Sequence, residues 1–333
     1  MSDIDCRPLL SVVIPTLNRP SLLRETLLRV SANYPVDDSC VEFVIVDNAS
    51  DRALDDLVSG LSVKFGNRLR LIRFEARLDI SESFSRSISC TTGKYVQIFG
   101  DDDLAFGRIG FRLIDILKQS PIPLIYINRL VGGFDLSRVD EVTHPSDAAK
   151  DCFELCLSDF ISKYTHWPGF ITSLVFSRSA WESGKTQSKR DYPGYTFLDY
   201  IYRSPEIDKV LIIAEPSIIQ RRGVQDWKKM WPLYWYQGMP QLLADLDRDK
   251  ISSGSLIAWL DHEVKLKNHI VDLFLARSFP EIYGPAYWRD VGRLFRMRNL
   301  YVLSVWLISL IPPSLSRLIL KLSPNRSKYG KLV

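Results

Sequence analysis

Three consecutive aspartates, Asp101, Asp102 and Asp103, follow an apolar segment at residues 94–99 and a single glycine, Gly100. Adjacent carboxylates repel one another, so they are costly at the end of a buried strand unless a cation lies among them. Oxygen ligands that leave coordination positions open for phosphate suit Mg²⁺ or Mn²⁺ rather than zinc. The cluster therefore predicts a divalent-metal site with these three aspartates as its ligands. A solvated acidic turn is the alternative interpretation.

The segment before the aspartates is one of several short, apolar segments that alternate with helical patterns. These segments are residues 9–14, 41–46, 69–74 and 94–99. Strands of this length, separated by single helices, predict a parallel sheet with both faces covered. The aspartates would then follow the carboxyl end of the fourth strand.

Polar residues follow two of the other predicted strands at the same end. Pro15 and Thr16 follow the first strand, and Asp47 and Asn48 follow the second. Ligands of parallel sheets bind beyond the carboxyl ends of the strands, so we expect these residues to share one crevice with the aspartates. The chain has neither a Gly-x-Gly-x-x-Gly motif nor a phosphate-binding Gly-Lys loop, so any phosphates would be held through a metal.

The order and spacing of residues 11–19, 43–51 and 93–103 resemble the nucleotide-binding half of family 2 glycosyltransferases. The resemblance extends over about the first 110 residues. It implies the GT-A fold, an α/β fold with a Rossmann-like, mixed, mainly parallel sheet flanked by helices. It also implies a nucleoside-diphosphate sugar as donor, Mn²⁺ or Mg²⁺ as cofactor, and transfer of the sugar to an acceptor hydroxyl.

The resemblance also assigns expected roles to residues of the donor site. Pro15, Thr16 and Asp47 would hold the base and the ribose. Further donor contacts would come from Asn18, Arg19, Asn48, Asp79, Arg86, Asp101 and Arg222.

The aspartates would take the family's Asp-x-Asp role, with one carboxylate near the ribose and another on the metal. Gly100 stands where the family has its first aspartate, so the register of this motif stays open. Either Asp101 and Asp103 or Asp101 and Asp102 form the pair, and we favour Asp102 as the metal ligand.

The acceptor side is expected between residues 160 and 226. Asp199 stands alone on an otherwise apolar helical pattern, and a lone buried carboxylate has a raised pKa that suits a general base. Asp191 is the alternative base, and His166 is a candidate in the acceptor loop. A structural role for Asp199 is the competing interpretation.

The last part of the chain has a different composition. Residues 289–333 contain nine Lys or Arg and one acid, a balance of +8 in a chain whose net charge is +4. The apolar segment at residues 300–311 is shorter than the roughly 20 residues that span a bilayer. We therefore predict a helical region at residues 227–333 whose basic amphipathic tail, residues 289–333, docks on a membrane surface. A buried core helix is the alternative.

Together with the change in composition, the resemblance implies a GT-A domain at residues 1–226, followed by the helical C-terminal region. Residues 1–110 would bind the nucleotide sugar and residues 111–226 the acceptor. Five cysteines without a Cys-x-x-Cys pair, and an N-terminus without a basic, apolar leader, predict a cytoplasmic protein with reduced thiols.

Over its whole length the chain is similar to bacterial O-antigen glycosyltransferases of the abequosyltransferase type. That similarity implies a CDP-3,6-dideoxyhexose donor such as CDP-abequose and an undecaprenyl-diphosphate-linked oligosaccharide acceptor. The enzyme would act at the inner face of the cell membrane and would not bind nucleic acid. A sugar nucleotidyltransferase and a non-enzymatic membrane-binding protein are the alternatives. Inverting or retaining stereochemistry and the oligomeric state stay open.

Overall fold

The computed structural model describes residues 7–136, 138–142, 151–164, 169–222, 229–296 and 298–323. The chain divides into two compact units. The first unit consists of residues 1–160, 167–189 and 197–224. The second unit consists of residues 161–166, 190–196 and 225–333. The predicted division into donor and acceptor halves is a functional assignment and stays a prediction.

The first unit is built on one mixed sheet, with ten strands in the described part of the chain. The strands are β1 (Leu10–Thr16), β2 (Val41–Asp47), β3 (Leu69–Arg73), β4 (Tyr95–Ile98), β5 (Leu104–Ala105), β6 (Leu124–Gly132), β7 (Val139–Val142), β8 (Cys152–Cys156), β9 (Leu174–Ser177) and β10 (Lys209–Arg221). Their order is β3-β2-β1-β4-β9-β6-β10-β5, with β7 beside β6 and β8 beside β10.

Strands β3, β2, β1 and β4 are parallel neighbours. The apolar, β-branched residues of β1, β2 and β4 are buried, and the apolar residues of β3 are partly buried. Beyond β4 the pairing changes, because β9 lies antiparallel between β4 and β6. Strand β10 runs parallel to β6 and antiparallel to β5 and β8. The predicted mixed α/β sheet is confirmed. The short antiparallel strands β5, β7 and β8 were not predicted, because segments of so few residues show no recognisable alternation of apolar and polar residues.

Helices cover the sheet. They are α1 (Pro20–Asn33), α2 (Asp55–Phe65), α3 (Ile80–Ser89), α4 (Ile109–Gln119), α5 (Leu157–Tyr164), α6 (Arg178–Gln187) and α7 (Thr196–Tyr202). The buried face of α1, with Leu23, Leu27 and Val30, belongs to the same core cluster as Val12 and Phe43 of the sheet. These contacts fix α1 immediately after the loop that follows β1.

A buried carboxylate fixes the start of β4, the strand that leads to the aspartates. Glu42 on β2 accepts hydrogen bonds from Ser11 Oγ at 2.6 Å and from the backbone N–H of Thr92 at 2.5 Å. Gly93 follows, and a Cβ there would lie 2.4 Å from Ser11 Oγ. Burial by itself would raise the pKa of Glu42, but the hydrogen bonds from Ser11, Thr92 and Arg70 outweigh it and lower the pKa. Glu42 therefore stays charged and holds the loop before β4.

The second unit is helical. Its helices are α8 (Trp231–Leu233), a π-helical turn at Tyr234–Gly238, α9 (Met239–Arg248), α10 (Ser255–His262), α11 (Leu266–Arg277), α12 (Pro285–Leu294), α13 (Asn299–Ser309) and α14 (Pro313–Leu322). The predicted helical C-terminal region is thus confirmed. No single helix among the described residues is long and apolar enough to cross a membrane, but α13 and α14, bent by 116°, pass that test as a pair.

Aromatic side chains hold this unit together. Trp231 stacks on Trp235 with ring centroids 4.5 Å apart, and Trp235 packs against the buried Trp259 at 5.2 Å. These tryptophans therefore serve helix packing.

A histidine is buried in the same aromatic packing. His269 on α11 has no exposed surface and lies 5.1 Å from the Tyr236 ring, 4.6 Å from Phe295 and 5.0 Å from Tyr301, between ring centroids. Burial lowers the pKa of His269 from 6.5 to about 4, because the charged ring would be poorly solvated.

We predict that acid destabilises this unit through His269. The folded protein keeps the ring neutral down to about pH 4, whereas the unfolded chain takes up a proton near pH 6.5. Stability therefore falls as the pH falls from about 6.5 to 4, by ~3 kcal/mol at the lower limit. Urea denaturation at several pH values in this range gives the free energy of unfolding of the wild type and of His269→Leu. We expect this free energy to change less with pH in the variant. The same pH dependence of the free energy of unfolding in both proteins would contradict the prediction.

Candidate active site

The carboxyl ends of β1 and β4 are joined through two threonines. Thr16 at the end of β1 donates a hydrogen bond from Oγ1 to Asp101 Oδ2 at 2.7 Å. Thr16 is also the register partner of Asp47 on β2. Thr26 on α1 donates from its hydroxyl to the backbone oxygen of Asp103 at 2.9 Å. Polar residues that follow three parallel strands therefore do meet, as expected.

Arg19 supplies positive charge to the first two aspartates. Its Nη1 lies 3.1 Å from Asp101 Oδ1 and 3.4 Å from Asp102 Oδ2. The Arg19 side chain is 17% exposed, so this ion pair is shielded from solvent on most sides. Arg19 was predicted to contact the donor. The structure places it beside Asp101, which was also predicted to contact the donor, and beside Asp102, the favoured metal ligand.

Asp103 anchors the loop from inside. Its Oδ2 accepts a hydrogen bond from Thr172 Oγ1 at 2.6 Å, and its Oδ1 accepts one from the backbone N–H of Arg221 at 3.4 Å. Thr172 Oγ1 in turn accepts from the backbone N–H of Gly100 at 3.0 Å. A Cβ at Gly100 would lie 2.4 Å from Asp103 Oδ2. An aspartate at position 100 would therefore require this loop to move.

Arg221 closes the site from β10. Its guanidinium donates to the backbone oxygen of Asp102 at 3.1 Å, to that of Phe134 at 2.8 Å and to Glu25 Oε2 at 2.7 Å. Of the two adjacent arginines Arg221 and Arg222, only Arg222 was predicted to contact the donor. Gln220 and Arg221 belong to β10. Arg222 is exposed, and its backbone N–H donates to Gly132 at 3.0 Å.

Burial raises the pKa of all three aspartates. For Asp102, burial and the neighbouring Asp101 charge raise the pKa to about 6, against the opposing effect of Arg19. For Asp103, burial and the Asp102 charge raise the pKa well above its usual value. Arg19 therefore offsets only part of the cost of burying these charges, and a further cation would favour the charged carboxylates.

The three aspartates are not arranged as a group of three metal ligands in the described part of the chain. No group of three His, Cys, Asp or Glu within the described residues could hold a metal ion. The two oxygens of Asp101 accept from Thr16 and Arg19, and those of Asp103 accept from Thr172 and Arg221. The assignment of these aspartates as metal ligands therefore stays a prediction. Asp102, whose ion pair with Arg19 is long, fits a cation of which phosphate and water supply the other ligands.

The turn after β2 uses its polar residues internally. Asp47 is buried and accepts from the backbone N–H of Ser50 at 2.9 Å and from Arg73 Nη1 at 3.1 Å. The Asn48 side chain donates to the backbone oxygen of Leu78 at 3.1 Å and accepts from its N–H at 2.9 Å. These contacts give the turn one conformation beside Thr16.

The loops after β1 and β2 are tied to each other by Asn18, which adopts a left-handed φ of 57°. Its side chain donates to Asp51 Oδ2 at 2.9 Å and accepts from the Asp51 N–H at 2.8 Å. Pro15 precedes this loop inside β1. The predicted donor residues Pro15, Thr16, Asn18, Asp47 and Asn48 thus belong to one connected pair of turns.

The remaining predicted donor contacts have local partners at α3. Asp79 is the N-cap of that helix and accepts from the N–H groups of Ser81 and Glu82 at 2.8 and 3.0 Å. Arg86 pairs with Glu82 one turn away at 2.7 Å, and both side chains are largely exposed. Their roles in donor binding stay predictions.

On the acceptor side, Asp199 is not the lone carboxylate that the sequence analysis assumed. It is fully buried, pairs with Arg203 one helical turn later at 2.6 Å, and accepts from Ser188 Oγ at 2.6 Å. This is the geometry of a structural ion pair. Asp191 is exposed and belongs to the second unit. His166 lies outside the described residues.

Comparison with known proteins agrees with this arrangement. Residues 11–108 match the model of the family described as glycosyl transferase family 2. Over 131 residues the chain is 27% identical to the abequosyltransferase RfbV of Salmonella typhimurium. That match spans 39% of this chain and 39% of the relative's length.

Two solved structures share the fold. TarS of S. aureus, residues 1–349 in complex with UDP-GlcNAc, superposes with a TM-score of 0.54 at 12% identity, over 90% of both chains. The mannosyltransferase PcManGT from Pyrobaculum calidifontis, in complex with GDP-Man and Mn²⁺, gives a TM-score of 0.53 at 14% identity, over 91% of this chain and 87% of that one. The predicted GT-A fold is therefore confirmed.

We predict that Asp199→Ala lowers stability by about 3–5 kcal/mol, because it leaves the buried Arg203 without its counter-charge. Urea denaturation measures the effect. Asp191→Ala, at an exposed carboxylate, is the matched control and should change stability by less than about 0.5 kcal/mol. An Asp199→Ala protein with wild-type stability and no activity would instead identify Asp199 as the base.

Proposed function

Since residues 11–108 match the model of glycosyl transferase family 2, we propose that this protein transfers a sugar from a nucleoside diphosphate to an acceptor hydroxyl. The observation that supports this best is the position of Thr16. It pairs in register with Asp47 and hydrogen-bonds Asp101, so polar groups at three strand ends lie together beside Asp102. The family's donor-binding motifs are at these same strand ends.

In the reaction we propose, the bond between the anomeric carbon and the donor diphosphate breaks, and its electron pair leaves with the nucleoside diphosphate. The acceptor oxygen forms the new bond to the anomeric carbon and loses its proton to a base. Thr16 and Asp47 orient the nucleoside. Asp102 would hold Mn²⁺ or Mg²⁺, which supplies positive charge against the leaving diphosphate when bound.

Arg19 has a separate task. Without donor it neutralises Asp101 and Asp102, and its guanidinium stays beside the place that the phosphates would occupy. A cation that is already held in place needs no reorganisation when negative charge develops on the leaving group. We therefore assign phosphate binding to Arg19 and metal binding to Asp102.

The donor we propose is a CDP-3,6-dideoxyhexose such as CDP-abequose, and the acceptor an oligosaccharide linked to undecaprenyl diphosphate. The similarity to an abequosyltransferase supports this choice. The enzyme would then build a surface polysaccharide such as the O-antigen, in the cytoplasm at the inner face of the cell membrane. Residues 1–226 would do the chemistry.

The alternatives explain less. A sugar nucleotidyltransferase would need a glycine-rich loop after its first strand, whereas residues 15–19 contain no glycine. A non-enzymatic membrane-binding protein would leave the connected strand ends without a purpose.

Nucleotide binding can be tested by thermal unfolding with Mn²⁺ and each of CDP, UDP, GDP and dTDP. We expect CDP to raise the unfolding midpoint most, because it is the nucleotide of the proposed donor. A ligand at 100 times its Kd stabilises the folded state by about 2.7 kcal/mol. Stabilisation by another nucleotide would replace the proposed donor. No stabilisation by any of the four would contradict the proposed function.

Asp102→Ala should reduce sugar transfer by about 10²- to 10⁴-fold and leave the unfolding midpoint near that of the wild type. Asp103→Ala is the matched comparison, because it removes the partner of Thr172 and the Arg221 N–H inside the protein. That variant should lose stability by about 1–3 kcal/mol. Full activity of Asp102→Ala at limiting Mn²⁺ would show that the metal is held elsewhere.

A further inference from the structure

The exposed large apolar side chains of the described chain are concentrated at its C-terminal end. Eight of twelve lie on α13, on α14 or in the turn between them, with exposed fractions from 45% to 76%. They are Leu300, Leu303, Trp306, Leu307, Leu310, Leu315, Leu318 and Leu322. We call this set the apolar elbow. Exposed large apolar side chains concentrated in one segment of a folded protein are typical of an interaction surface.

The same helices also have a buried side, so the apolar elbow is not a segment that failed to pack. Val305 and Ile308 of α13 and Leu320 of α14 are 5% exposed or less. Leu320 packs in a cluster with Leu275 of α11. Helix α13 contains no charged residue, yet half of its surface faces outward. This surface suits an apolar medium better than water.

Two arginines hold the bend between α13 and α14. Arg277 Nε donates to the backbone oxygen of Ile311 at 2.5 Å, in the turn between the helices. Arg317 on α14 donates to the backbone oxygen of Ser278 at 2.9 and 3.1 Å. Straightening the pair into one span would break these bonds. Helix α13 alone, with 11 residues, is about 16 Å long, too short for a hydrocarbon core of about 30 Å.

Positive charge lies directly beside the apolar elbow. Arg289, Arg293 and Arg296 recur at intervals of four and three residues from α12 onward, and all three are exposed. We call them the arginine row. Arg289 and Arg293 lie 3.7 and 4.0 Å from Asp290, which is the one acid within residues 289–333. The row therefore keeps excess positive charge.

The two features meet in an open groove of about 380 Å³ between α12 and α13. Its lining consists of Gly292, Arg296, Asn299, Val302, Leu303 and Trp306. Arg296 thus belongs to the arginine row and also contacts the space that Leu303 and Trp306 line. A cation beside an aromatic and aliphatic wall matches an anionic headgroup attached to an acyl chain.

We infer that the apolar elbow and the arginine row form a membrane-docking surface that lies in the interface of an anionic bilayer. The elbow side chains enter the acyl region, and the arginines bind lipid phosphates. A second copy of this chain would bring another arginine row to the contact, so charge complementarity favours the lipid. The inference rests on the proposed membrane location, and not on the sugar-transfer chemistry.

The test uses the full chain and vesicles of phosphatidylcholine, alone or mixed with phosphatidylglycerol, in a flotation assay. The wild type should float with the mixed vesicles, and salt should weaken this binding. Trp306→Ser with Leu310→Ser should weaken it about tenfold or more, as should Arg289→Glu with Arg293→Glu. Ile257→Ser, at an apolar residue of α10 that is 65% exposed, and Lys267→Glu, on exposed α11 surface, are the matched controls and should bind like the wild type.

Absence of wild-type binding to the mixed vesicles would overturn the inference, as would unchanged binding of both double variants. So would a lipid-free dimer that Trp306→Ser with Leu310→Ser dissociates and that ignores vesicles. The thermal-shift test with nucleotides, applied to the same variants, separates the two proposals. Vesicle binding without nucleotide stabilisation supports the docking surface and contradicts glycosyl transfer. Nucleotide stabilisation without vesicle binding supports glycosyl transfer and contradicts the docking surface.

Discussion

Three adjacent carboxylates in a largely buried loop impose the strongest constraint on this protein. Each carboxylate that leaves water needs donors or positive charge, and the three also repel one another. The fold meets this demand from four directions, through β1, α1, the segment before β9, and β10. Thr16, Arg19, Thr172 and Arg221 are the residues involved. The sheet order that brings β9 and β10 towards β4 is therefore also what allows the loop to exist.

Neutralisation of the loop is unequal, and that inequality separates the roles of the aspartates. Asp101 and Asp103 have protein partners for both oxygens, so their contribution is to shape the loop. Asp102 keeps a long ion pair and a raised pKa, so it retains capacity for another cation. In a donor site, protein partners would offset the cost of burying Asp101 and Asp103, and Asp102 would be left for binding.

The second unit solves a different problem. Its interior is packed with aromatic rings around His269, Trp235 and Trp259, which fix the helices without long apolar stretches. Because that interior is already filled, the outer faces of α13 and α14 have nothing within the described chain to cover them. Their apolar side chains, with Arg289, Arg293 and Arg296 of the same unit, form the surface proposed for membrane docking.

The sequence by itself determined the alternation of strands and helices, the three polar strand ends and the helical C-terminal region, because these depend on local patterns. It also contained the Asp199–Arg203 pair at helical spacing, which apolar periodicity alone does not indicate. Tertiary structure alone decided which protein partners each aspartate has. Asp103 depends on Thr172 and Arg221, which are 69 and 118 residues away in the chain. Local patterns contain no information on such partners, since the sheet order and the crossovers between strands bring them together.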